Sequence, residues 1–142
     1  MFIWINYQAN YMIDILIVDD HAVVRAGLRQ LLSGISDMAV ADEADGGIAA
    51  LTKIGEKRYS IVVLDVSMPD KSGFDVLKEI RSGHPNLPVL MLSMHPEDQY
   101  AVRALHAGAS GYMTKDRAPE ELVTAIRTVA AGRKYRSNNL IH

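Results

Sequence analysis

YSIVVLDVSMPDKSG, residues 59–73, passes from an aliphatic run through a single acid into a turn. Ile61, Val62, Val63 and Leu64 form an apolar, mostly β-branched run too short for a helix, the pattern of a strand buried on both faces of a parallel sheet. Asp65 ends that strand. Met68-Pro69-Asp70 and Lys71-Ser72-Gly73 carry turn chemistry, so a loop curls over the carboxylate at the strand's carboxyl end, where ligands bind in open α/β sheets. An isolated acid after a strand more often just begins a turn, so the weight falls on the rest of the chain.

Ile13 to Val18 (IDILIV) is a second short apolar run, and it stops at Asp19 and Asp20. Val24, Leu28, Leu31 and Leu32 recur at helical spacing over 21–32, with Asp20 as the capping residue and Gly34 as the stop. Met38 to Ala44 is interrupted by Asp42 and Glu43, which suits an edge strand. Gly46 and Gly47 open a helix carrying Ile48, Leu51 and Ile54. Beyond the Asp65 loop, Phe74, Leu77 and Ile80 share a helical face over 74–82, and Leu87 to Leu92 make a fourth strand that ends at Ser93. Pro96 sits where a first-turn proline belongs, and that helix runs through Tyr100, Ala104 and Leu105 to Gly108. Gly111, Tyr112 and Met113 form a short fifth strand ending near Lys115, and the last helix spans Pro119 to Gly132. Five strands alternating with five helices predict a doubly wound parallel sheet with right-handed crossovers.

At 142 residues the chain suits one domain whose core needs no staples. It has no cysteine, which excludes disulfides and thiolate metal sites and agrees with a reducing compartment. Charged residues make up 23% and the net charge is −2, so the chain as a whole does not suit a nucleic acid surface. No apolar run reaches the length of a membrane span, and the apolar start MFIWINYQANYM lacks the basic region and cleavage site of a secretory signal. Met12 is a natural beginning for the pattern that follows. Residues 1–11 are therefore expected to be an N-terminal extension, 12–132 the folded domain, and 133–142 the start of a linker or a C-terminal tail.

The residues at strand ends are Asp19 and Asp20 after the first, Asp65 after the third, Ser93 after the fourth and Lys115 after the fifth. Each alone has a plain structural explanation, as a helix cap, a loop hydroxyl or a solvated charge. In a doubly wound sheet they converge on one edge, which brings three carboxylates, a hydroxyl and an ammonium into one cleft. Clustered carboxylates repel, which raises their pKa values or recruits a cation, and hard oxygen donors favour Mg²⁺. An Asp can attack phosphorus to form an aspartyl-phosphate while the cation and Lys neutralise the phosphoryl oxygens and Ser donates a hydrogen bond.

The same residues, spread from 13 to 132, resemble the receiver domain of a two-component response regulator: Asp19-Asp20, the Asp65 strand with Met68-Pro69 and Gly73, Ser93, and Gly-Tyr-Met-Thr-Lys at 111–115. The resemblance implies a flavodoxin-like (βα)5 fold, a doubly wound parallel sheet in strand order 2-1-3-4-5. It also implies Asp65 as phosphoacceptor, Asp19 and Asp20 with Asp65 as acidic residues of a Mg²⁺ site, and the backbone carbonyl of Ser67 as a further ligand. Ser93 and Lys115 would contact the phosphoryl group, with Ser93 and Tyr112 as the switch. IVDDHAVVRAGL, ALHAGASGYMTKD and APEELVTAIRTVAAGRKY resemble the NarL/FixJ branch, whose members carry a C-terminal helix-turn-helix domain not expected within these residues. The implied partners are a sensor histidine kinase, a second copy on phosphorylation, and DNA only through that missing domain. The implied setting is cytoplasmic, without a membrane.

Two positions depart from the commoner pattern. Asp116 follows Lys115 where many receivers have proline, so the cis bond associated with that proline is not assumed. Met94 follows Ser93 where many have a small residue, and its bulk is expected to narrow access to Asp65. Ser67 and His95, each two residues past a site residue, are expected to border the path of water attacking an aspartyl-phosphate, Ser67 too small to block it and His95 bulky enough to screen it. Three readings stand together: a receiver controlling transcription, a stand-alone receiver acting by protein binding, and a Mg²⁺-dependent phosphohydrolase. Asp65 is followed by Val66 and Ser67, neither a useful acid or base, so no enzyme is expected beyond slow Mg²⁺-dependent self-phosphorylation and self-dephosphorylation.

Overall fold

The computed structural model describes residues 11–94 and 98–137; the expectations for residues 1–10, His95, Pro96 and the chain after 137 lie outside the described residues. Along the chain come β1 (Ile13–Val18), α1 (Ala22–Leu32), β2 (Met38–Ala44), α2 (Gly47–Glu56), β3 (Ile61–Asp65) and α3 (Gly73–Gly83). Then follow β4 (Val89–Ser93), α4 (Asp98–His106), β5 (Gly111–Thr114), a 3₁₀ turn (Lys115–Arg117), α5 (Ala118–Ala130) and the two-residue β6 (Tyr135–Arg136). The sheet is parallel throughout, in the order β2-β1-β3-β4-β5-β6. Its first five strands are the expected 2-1-3-4-5 flavodoxin-like arrangement.

The strands alternate two cores because successive side chains leave opposite faces. Leu16, Val18, Val62, Leu64, Val89, Met91 and Tyr112 pack on one face against Ala50 and Ile54 of α2, Val76, Leu77 and Ile80 of α3, and Ala101 and Ala104 of α4. Ile13, Ile15, Ile17, Ile61, Val63, Leu90, Leu92 and Met113 pack on the other against Leu28 and Leu32 of α1 and Leu122, Ala125, Ile126 and Val129 of α5. Each aliphatic buried this way contributes about 1.5–3 kcal/mol, which pins the register of every strand and so the level at which its last residue emerges. β2 is the edge strand the sequence suggests: only Met38 and Ala44 are buried, and its register against β1 slips between Ile15 and Leu16. Among the described residues no helix is long and apolar enough to cross a membrane.

Several local expectations are corrected. Ile48 is not on the packed face of α2 but 64% exposed, because Gly47, Ala50 and Ile54 face the core and Ile48 lies one step around the helix. Asp20 does not cap α1. The N-cap is His21, without a side-chain cap bond, and it is Asp19 that accepts the His21 backbone N–H at 2.8 Å. The fourth strand begins at Val89 rather than Leu87, since Pro88 has no N–H for the ladder and offers only its carbonyl, to Val62 N–H. Unchanged is the Lys115–Asp116 peptide, for which no cis bond is assumed: it is trans. The expected tail contains β6, which the sequence reading does not include: Tyr135 N–H bonds the Ser110 carbonyl at 2.9 Å, and the Tyr135 hydroxyl donates to Glu121 Oε1 at 2.6 Å.

Candidate phosphoryl-acceptor site

Strand register sets the site. Val18 lies opposite Leu64, so Asp19 and Asp65, each the next residue, emerge at one level on neighbouring strands. Leu92 lies opposite Asp65 and Ser93 opposite Thr114, which brings Ser93 one residue and Lys115 two residues beyond the level of Asp65 at the same edge. Asp19, Asp65 and Ser93 are all buried, and Lys115 is largely so. Lys115 Nζ donates to Asp19 Oδ2 at 2.8 Å and stands 3.2 Å from Asp65 Oδ1. A single ammonium therefore bridges two buried carboxylates.

The pocket holds more negative charge than its ammonium neutralises. Burial, then the nearby charge of Asp19, push the Asp65 carboxyl above its ordinary range, with Lys115 and the Ser67 N–H acting against them. Burial by itself depresses the Lys115 ammonium, but the hydrogen bond to Asp19 and the charges of Asp65 and Asp19 outweigh it, and its pKa lies above the usual lysine value. Two carboxylate oxygens here, Asp65 Oδ2 and Asp20 Oδ1, are buried and accept no hydrogen bond. His21 Nδ1 stands 3.3 Å from Asp20 Oδ1 without completing a hydrogen bond to it. Buried anionic oxygens without donors are costly unless a cation meets them, so this donor set fits a hard divalent ion. One ligand atom from each of Asp19, Asp20, His21 and Asp65 lies within 4.8 Å of the others.

The loop after Asp65 is held closely. Gly73 N–H bonds the Val66 carbonyl at 2.7 Å, and a Cβ at Gly73 would lie 2.3 Å from the Asp65 carbonyl oxygen, so only glycine fits there. Asp70 accepts the Gly47 and Ile48 N–H groups at 3.1 Å each and thereby caps α2 from another loop. Ser67 is exposed and its N–H points to Asp65 Oδ1 at 3.4 Å. Met94 is 75% exposed at the end of β4. Tyr112 is fully buried in the core on the α2–α4 face. The sequence reading omits His21, although its place beside Asp19-Asp20 is a usable signal, and Arg25, whose contact with the Asp19 carbonyl has no local signature.

The chain matches the model of the response regulator receiver domain family over residues 15–127. It is 40% identical over 124 residues to the response regulator GacA of Pseudomonas viridiflava, a match covering 87% of this chain and 58% of that protein. It thus spans little more than half the length of that relative. A crystal structure of a LuxR-family two-component response regulator from Aurantimonas sp. SI85-9A1 superposes with a TM-score of 0.87 at 36% identity, covering 92% of this chain and 93% of the other. The isolated receiver domain of RcsB from Salmonella enterica serovar Typhimurium, solved with the phosphomimetic BeF3⁻, superposes at 0.84 with 26% identity, covering 92% and 96%. By sequence over most of its length and by fold, the chain belongs to the response regulator receiver domain family of two-component systems.

Proposed function

We propose that this domain takes a phosphoryl group onto Asp65 from a sensor histidine kinase, in a Mg²⁺-dependent reaction, and that the modified form switches a downstream output. The observation that carries this is the pair of buried carboxylate oxygens that accept no hydrogen bond, Asp65 Oδ2 and Asp20 Oδ1, beside an ammonium already shared by two acids. Asp19, Asp20 and Asp65, with the Ser67 carbonyl, would hold the ion. Bound there, Mg²⁺ supplies positive charge to the oxygens of the transferring group.

In the proposed step an Asp65 carboxylate oxygen forms a bond to phosphorus as the bond from phosphorus to the donor histidine nitrogen breaks, and the electron pair leaves with the imidazole. Lys115 keeps Asp65 ionised against burial and donates to a phosphoryl oxygen. The Ser93 hydroxyl donates to another. Val66 and Ser67 supply no general base, which supports slow self-dephosphorylation rather than turnover of a substrate. Ser93 and Tyr112 form the proposed switch, biasing two arrangements of the β4–α4–β5 face. Ser67, Met94 and His95 are the proposed tuners of lifetime.

The working unit is the folded domain from residue 12 onward, now including β6 where a linker is expected after 132, and its setting is the cytoplasm. The output is proposed to be transcription, through pairing of phosphorylated copies and a DNA-binding part in the longer protein. Incubation with acetyl phosphate and Mg²⁺ should add one phosphoryl group to the wild-type chain, read by intact mass, and none to Asp65→Asn. Modification of Asp65→Asn at the wild-type rate would overturn the assignment.

A further inference from the structure

We propose that Arg25 is a positioning residue for the divalent cation, acting through the Asp19–Asp20 peptide; this rests on the Mg²⁺ reading above. The loop between β1 and α1 carries both acids. Its entry is pinned where Asp19 N–H bonds the Ala44 carbonyl at 3.1 Å, and its exit where Arg25 N–H bonds the His21 carbonyl at 3.1 Å. Between them, Arg25 Nη1 donates to the Asp19 carbonyl oxygen at 2.6 Å. That oxygen belongs to the peptide linking Asp19 to Asp20. Holding it fixes the plane of the peptide, and with it the direction in which the Asp20 carboxylate leaves the chain.

The guanidinium is itself held. Arg25 Nε donates to Glu43 Oε1 at 3.1 Å from a side chain only 18% exposed, and the other oxygen of Glu43 is engaged by Arg29. Glu43 belongs to β2, the strand that pairs with β1 through the irregular register after Ile15. The brace therefore ties the acidic loop to the edge strand rather than to its own helix alone. Asp20 needs this more than Asp19 does. Asp19 is anchored by Lys115 and by the His21 N–H, whereas Asp20 Oδ1 accepts no hydrogen bond and has only the exposed His21 ring beside it, at 3.3 Å. An unanchored acid keeps its aim only if its backbone cannot turn, and Arg25 supplies that restraint. A lysine at 25 could reach the carbonyl or Glu43 but lacks the planar fork that holds both.

The test is a Mg²⁺ titration of the full chain, followed by melting temperature and by the amide NMR shifts of residues 19–21. Outer-shell losses at metal sites cost about 10–100-fold in affinity, and Arg25→Ala should weaken Mg²⁺ by at least about tenfold, with Arg25→Lys and Glu43→Gln between it and wild type. Labelling by acetyl phosphate should fall in Arg25→Ala at low Mg²⁺ and recover at saturating Mg²⁺, a split that loss of fold would not produce. Arg127→Ala is the control. It removes an arginine–carboxylate pair with Asp37, 2.8 Å long, well away from the acidic loop, and should leave the affinity unchanged. If Arg25→Ala unfolds, Glu43→Gln carries the test, and wild-type affinity there would overturn the brace. Wild-type affinity in a folded Arg25→Ala likewise overturns it alone. A wild-type chain that does not respond to Mg²⁺ overturns the cation reading, and the role of Arg25 with it.

Discussion

Asp65 is held in a state that favours chemistry over stability. Burial and the charge of Asp19 raise its pKa, so the ionised form is penalised in the folded chain. A group raised in this way favours folding fully below its unfolded pKa, near 3.8, and that contribution is lost as pH climbs through the raised folded value. The penalty therefore grows as pH rises above the ordinary carboxylate range. Asp65→Asn removes it, and in EDTA at pH 7 the variant should melt a few degrees above wild type, with the gap closing as pH falls below the ordinary carboxylate range. Melting curves from pH 3 to 7 check this; a variant less stable than wild type at pH 7 would show that the Lys115 contact outweighs the burial. The mutant should be the more stable protein and the inert one.

At the scale of elements, the loops matter through what crosses between them. Asp70 leaves the loop after β3 to cap α2, and Arg25 leaves α1 to hold the end of β1. α5 and β6 are joined by a third crossing, centred on Glu121. Burial alone would raise that carboxyl, but hydrogen bonds from Tyr135, Ser137 and Arg117 outweigh it and hold the group below its ordinary value. Tyr135 hydroxyl at 2.6 Å and Arg117 Nε at 2.9 Å use both its oxygens. Tyr135→Phe keeps the ring and removes one donor, so it should cost about 1.5–3 kcal/mol in urea denaturation, the worth of a hydrogen bond to a charged acceptor. Amide exchange at Tyr135 should quicken, while Mg²⁺ affinity stays as in wild type. If stability is unchanged, β6 is held by its backbone bonds alone.

For the whole molecule, the three-acid pocket gathers like charges whose repulsion a bound cation would relieve. An ion that binds only the folded chain stabilises it by about 2.7 kcal/mol at a hundred times its dissociation constant. Mg²⁺ should therefore raise the melting temperature by several degrees, and Asp20→Asn should reduce the shift because it removes an unpartnered oxygen without touching Lys115. Equal shifts in the two proteins would argue against a site built from Asp20. The two cores flank this edge and hold its level, so the gain should be in stability rather than in secondary structure, and far-ultraviolet dichroism should not change.

Much of this was written in local pattern. Aliphatic runs ending in Asp19-Asp20, Asp65, Ser93 and Lys115 needed no partner to be seen, because a strand buried on both faces declares itself by composition and its end by the first polar residue. Alternation with helices implied parallel strands, and strands that run in one direction present all their carboxyl ends at one edge. What stayed hidden depended on residues far apart in the chain. The convergence of Lys115 with the acids was legible, but not which carboxylate oxygens its ammonium takes, and Asp70 meets Gly47 across 23 positions with no local sign. Ile48 looked like a core residue until the packing of α2 chose Gly47 and Ala50 instead, and a two-residue strand at 135–136 is too short to show a period. The sharpest feature of the site, two carboxylate oxygens without donors, is a property of which neighbours arrive and which do not. Composition can supply charges, but only packing in three dimensions leaves some of them unmatched.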